Sequence, residues 1–128
     1  MARWVLTIAA VLAWVFGAML MLAPAPFFAP IGIDVTDKVA TIAQNQGAAL
    51  VAIGTIDFLA RRVTDHAALR AILYGNLVVQ ALSLAVTVRA LALGIFPPKG
   101  APSVVIHVIL GTLFVLALRR PPATAPSR

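Results

Sequence analysis

Four long apolar runs, separated by short stretches that hold most of the charges and prolines, organise the chain. The first covers residues 4–23, where no charged side chain occurs. Such a length crosses roughly 30 Å of hydrocarbon at about 1.5 Å per residue. The second run, about 38–61, is opened by Thr36 or Asp34 as N-cap candidates and closed by Arg61 and Arg62. A third starts after Thr64-Asp65, which places an acid at the positive end of the helix dipole. It extends over about 66–94 and stops before Pro97-Pro98. The fourth, about 102–119, carries Pro102 in its first turn, where proline is tolerated. Arg119-Arg120-Pro121-Pro122 ends it. The pattern predicts an all-α, integral membrane four-helix bundle over residues 1–120, followed by a Pro-rich cytoplasmic tail over 121–128. The first run exceeds the usual 7–15 apolar residues of a signal peptide, and Pro26 would follow a cut after Ala25, so it reads as a retained helix.

Composition agrees with a bilayer as solvent. Hydrophobic residues make up 62% of the 128 positions and charged residues 11%, against about 45–50% and about 25% in soluble domains. A chain this short keeps much of its surface exposed and has too few polar residues to cover it in water. The net charge of +6 comes without the basic patch and interleaved aromatics of a nucleic-acid surface, so nucleic acid is not an expected partner. Topology accounts for the charge instead. Arg3, Arg61, Arg62, Arg70, Arg119, Arg120 and Arg128 fall on one side, and only Lys38, Arg89 and Lys99 on the other. The positive-inside rule then puts both termini in the cytoplasm of a bacterial inner membrane. Two similar turns, Ala25-Pro26-Phe27-Phe28-Ala29-Pro30 and Ile95-Phe96-Pro97-Pro98, hint at a duplicated hairpin.

Helices in lipid associate through small residues and polar contacts, because the lipid tails are as apolar as leucine. For close packing within the bundle or with a second copy, the first run offers Ala9, Ala13 and Gly17, the second Ala40, Ala43, Gly47 and Gly54, and the third Ala67, Ala71 and Gly75. In the third run Asn76, Gln80, Ser83 and Thr87 lie at i, i+4, i+7 and i+11, hence on one face. That face is expected to join neighbouring helices by hydrogen bonds. Asp57 precedes Arg61 by four residues in the favourable acid-then-base order, which predicts a salt bridge near the cytoplasmic boundary. A proton or cation relay is the functional rival at Asp57. Near the opposite boundary Gln44, Gln46, Arg89 and His107 lie at similar depth. Together they would suit a bound lipid, quinone or pigment, with His107 as donor or acceptor.

Catalytic chemistry is not visible in the sequence. The chain has no cysteine, its serines are only Ser83, Ser103 and Ser127, and His66 and His107 fall at opposite faces of the expected topology. That separation disfavours bis-histidine haem ligation, no metal site is expected, and no phosphate-binding glycine loop occurs. The first run also lacks the carboxylate that drives compact multidrug exporters. Gln46-Gly47-Ala48-Ala49-Leu50, Gly54 and Leu59-Ala60-Arg61, with Ala71-Ile72-Leu73-Tyr74-Gly75-Asn76, resemble small bacterial four-helix inner-membrane proteins grouped as domains of unknown function. The resemblance implies a fold and no activity. The leading expectation is a non-catalytic accessory or assembly subunit that packs against other membrane subunits, of respiratory or photosynthetic type. A binder of a small amphiphile comes second, and a homo-oligomeric transporter or channel third.

Overall fold

The computed structural model describes residues 1–119; the tail expected over 121–128 lies outside them. Among the described residues the chain is all-helical, in the order α1 (Ala2–Leu22), α2 (Pro24–Phe28), α3 (Asp37–Ala60), α4 (His66–Ala92) and α5 (Pro102–Arg119), with 3₁₀ turns at Ala29–Ile31 and Pro98–Gly100. Four of these helices are long and apolar enough to cross a membrane. Their ends follow local chemistry. Thr36 rather than Asp34 caps α3, its hydroxyl accepting from Val39 N at 3.3 Å. Asp65 caps α4, accepting from Ala68 N at 2.7 Å. Gly94, at φ 67°, closes α4 in the left-handed conformation that glycine adopts without steric cost.

The turn after α1 is more ordered than its prolines suggest. Pro24 opens the short α2, whose Phe27 ring meets Phe16 of α1 edge-on at 6.1 Å. The fixed φ of proline suits the first helical turn, so Pro24 starts a helix where the sequence reads as a loop. The second proline turn differs: Ile95 N and Phe96 N both return to Ala90 O, and Gly100 is buried against the Phe96 ring. The two turns touch each other but are not built alike.

Packing is uneven. α1 runs along α3, α4 runs along α5, and a smaller contact joins α1 to α5. α3 and α4 approach only briefly. A shared core forms at the end that holds the chain's N-terminus, from Val5, Leu6 and Ala9 of α1, Ala60 of α3, Leu73 of α4 and Leu110, Phe114 and Ala117 of α5. Elsewhere the α1–α3 seam depends on absent side chains. A Cβ at Gly17 would stand 2.8 Å from Gly47 O, one at Gly47 2.6 Å from Gly17 O, and one at Gly54 2.9 Å from Trp14 Cδ1. The third run's small residues do not pack within the bundle. Ala67, Ala71 and Gly75 are exposed, and nothing lies within 4 Å of where a Gly75 Cβ would be. The outside of the bundle is studded with large apolar side chains, among them Ile42, Leu59, Val78, Leu82 and Val86, as a hydrocarbon surround requires.

Candidate functional site

The gap between α3 and α4 has a polar floor. Asp57, three residues before the end of α3, is only 1% exposed, and Asn76 of α4 is 7% exposed. The Asn76 side-chain amide donates to Asp57 Oδ1 at 2.6 Å and to Ile72 O of its own helix at 3.2 Å. Asp57 Oδ2 is buried and has no hydrogen-bond partner among the described residues. Both residues line a groove of about 260 Å³ whose other walls are Ile53, Ile56, Ile72, Gly75 and Val79. A buried carboxyl with one oxygen satisfied and the other not is uncommon and calls for a physical reason.

The salt bridge expected between Asp57 and Arg61 is not formed. Arg61 instead lays its guanidinium over the Phe58 ring, Cζ 3.6 Å from the centroid, and Arg61 Nε has no hydrogen-bond partner among the described residues. Phe58 stacks in turn on Trp14 of α1 at 5.0 Å, and Trp14 Nε1 donates to Thr55 Oγ1 at 3.3 Å. A guanidinium on an aromatic face gains attraction from the ring quadrupole. The i+4 spacing points to Arg61 as partner of Asp57, yet Phe58 of the same helix takes Arg61 and Asn76 of α4 takes Asp57. The Trp14–Phe58–Arg61 stack was not read from the sequence. Its one local signal is the i, i+3 spacing of Phe58 and Arg61, which places them on one face.

Of the polar face on α4, Asn76 and Gln80 both reach another helix. Gln80 Oε1 lies 2.7 Å from His107 Nδ1 of α5, within hydrogen-bond distance. Ser83 and Thr87 are half-buried and make no side-chain hydrogen bond among the described residues. A second groove, about 430 Å³ between α4 and α5, is lined by Gln80, His107, Gly111, Thr112 and Arg119 among others. It is larger, but its amide and imidazole already face each other.

The layer of Gln44, Gln46, Arg89 and His107 is not joined by hydrogen bonds among the described residues. Gln44 Nε2 donates to Met21 O of α1 at 3.3 Å, while His107 meets Gln80. Gln46 and Arg89 are exposed, Arg89 in the last turn of α4, where a cation complements the helix dipole. Beside Gln46 the exposed Asn45 donates to Thr41 O at 3.1 Å within its own helix. Among the described residues no cluster of three or more His, Cys, Asp or Glu side chains could hold a metal ion. Comparison with protein-family models, curated proteins and solved structures finds no match.

Proposed function

We propose that this chain is a non-catalytic accessory subunit of a bacterial inner membrane, with four crossings and both termini cytoplasmic, that packs through α3 against a larger membrane complex. Respiratory and photosynthetic assemblies are the class of complex in view. The observation that carries the reading is the mismatch on α3. This helix is the least apolar of the four, with a mean hydropathy of 1.2 against 2.5 for α1, yet only 17% of its apolar window is buried against 33% for α1. The bundle therefore covers its most lipid-compatible helix best and covers its least compatible one no better than α5, at 17%, while α4, of mean hydropathy 1.8, is buried over 11%. Asn45 and Gln46 stand exposed eight and nine residues into α3, about 12 Å along the axis. Beyond the Thr41 carbonyl that Asn45 bonds, hydrocarbon offers these amides no hydrogen-bond partner, whereas a neighbouring helix does. Ala48, Ala49 and Ala52, also exposed, leave room for such a helix to approach closely.

The test is purification of the tagged chain from its native membrane in mild detergent, with quantitative mass spectrometry of what accompanies it. A membrane protein partner in fixed ratio, retained by Leu82→Ala on α4 and lost in an Asn45→Leu, Gln46→Leu double variant, is the expected result. Recovery of free chain or of a homo-oligomer alone overturns the reading.

A further inference from the structure

We propose that the α3/α4 groove is a binding site for a single-chain amphiphile whose headgroup carries an N–H or O–H donor. The donor meets Asp57 Oδ2, and the chain leaves along the apolar wall over Gly75. This site is separate from the α3 amides on which the partner reading rests, and it stands without them. Three features of the groove point to this class of ligand. Asn76 fixes the carboxyl group by bonding one oxygen at 2.6 Å, so the other oxygen is held in place with no donor of its own. A buried acceptor of this kind is stabilised by any donor that arrives and destabilised without one. The remaining lining is hydrocarbon: Ile53, Ile56, Ile72 and Val79, with Gly75 leaving the wall low. A volume of about 260 Å³ falls just below the roughly 300–1,000 Å³ of pockets that bury most of a drug-sized ligand. It fits a headgroup and the first part of one alkyl chain. A bare metal ion is a poor match, because one carboxyl and one amide supply fewer oxygens than hard cations take.

The larger α4/α5 groove lacks the deciding feature, since His107 and Gln80 are already bonded to each other.

The probes are dodecylamine and dodecanol, which carry donors, and dodecyltrimethylammonium, which does not. Each is titrated onto the full chain in phosphatidylcholine nanodiscs, whose headgroups also lack donors, and bound adducts are counted by native mass spectrometry. At least one donor probe is expected to bind at one per chain and at least tenfold more tightly than the trimethylated control. Binding of the amine alone assigns an ammonium headgroup, and binding of the alcohol alone a hydroxyl. Asp57→Leu should lose binding by at least tenfold, while Arg89→Ala should retain it. Because Asp57→Leu touches a buried residue and can fail to fold, Gly75→Leu is the second arm. Nothing surrounds that position, so the added side chain fills the groove and leaves thermal unfolding unchanged or raised while binding falls tenfold. Equal binding of the trimethylated control, unchanged binding by Gly75→Leu, or no adduct with any probe overturns the proposal.

Discussion

Asn76 supplies the one hydrogen bond that the Asp57 carboxyl group accepts among the described residues, which makes the two residues unequal when each is removed alone. Asn76→Leu leaves a buried carboxyl without any donor. It is expected to cost about 1–3 kcal/mol, the penalty for orphaning a buried polar group. An ordinary interhelical bond in a membrane protein averages about 0.6 kcal/mol, and Gln80→Leu, which releases the half-buried His107, should stay near that figure. The double variant Asp57→Leu, Asn76→Leu replaces both partners with apolar groups and should recover part of the Asn76→Leu loss. Reversible unfolding in bicelles measures these three variants and Asp57→Leu; strictly additive single losses would show that the two side chains do not interact. This pair also marks where the sequence stops being informative. Asn76 and Gln80 are visibly on one helical face, but which element each addresses depends on neighbours outside the helix. For Asp57 the local rule offers Arg61, but Asn76 of α4 bonds Asp57 and the Phe58 ring, stacked on Trp14 of α1, holds Arg61.

Helix by helix, the small residues divide into a working seam and an outward face. Gly17 and Gly47 bring the backbones of α1 and α3 so close that a Cβ on either would press on the other's carbonyl, at 2.8 and 2.6 Å. Because backbone cannot rotate away, Gly17→Ala and Gly47→Ala should each destabilise by about 1–3 kcal/mol, the usual cost of overpacking. Gly75→Ala should have the opposite sign, gaining about 0.5–1 kcal/mol from helix propensity, since nothing stands within 4 Å of its Cβ position. Unfolding of the three variants under one condition checks the contrast; a loss at Gly75 as large as at Gly47 would mean that the α4 stripe is packed after all. Both stripes read alike as spaced glycine and alanine, because spacing records a face and not its occupant. The spans and caps were more legible: hydropathy, Thr36 and Asp65 act locally, and α3 and α4 begin where those residues place them. The helix at Pro24–Phe28 was not, since proline punctuates loops and opens helices equally well.

Across the whole molecule, α1 with α3 and α4 with α5 form two hairpins joined by the shared core at the N-terminal end. The proposed orientation sets that end, with Arg3, Arg61, Arg62, Arg70 and Arg119, on the cytoplasmic side. Lys99 and the two proline turns then face outward. Since the chain has no cysteine, single substitutions report on this without background. Thr64→Cys and Lys99→Cys both fall at exposed positions between long helices, so access to reagent depends on the side of the membrane and not on burial. A membrane-impermeant maleimide applied to intact spheroplasts should label Lys99→Cys at once and Thr64→Cys only after permeabilisation. The reverse pattern inverts the molecule; labelling of both without permeabilisation would mean that the segments between them do not cross. Replacing Arg61 and Arg62 with alanine weakens the charge bias at the loop that holds Thr64, and a fraction of Thr64→Cys should then become labelled from outside. That shift would tie the orientation to the arginines themselves, because the apolar runs that cross the membrane are untouched by the change.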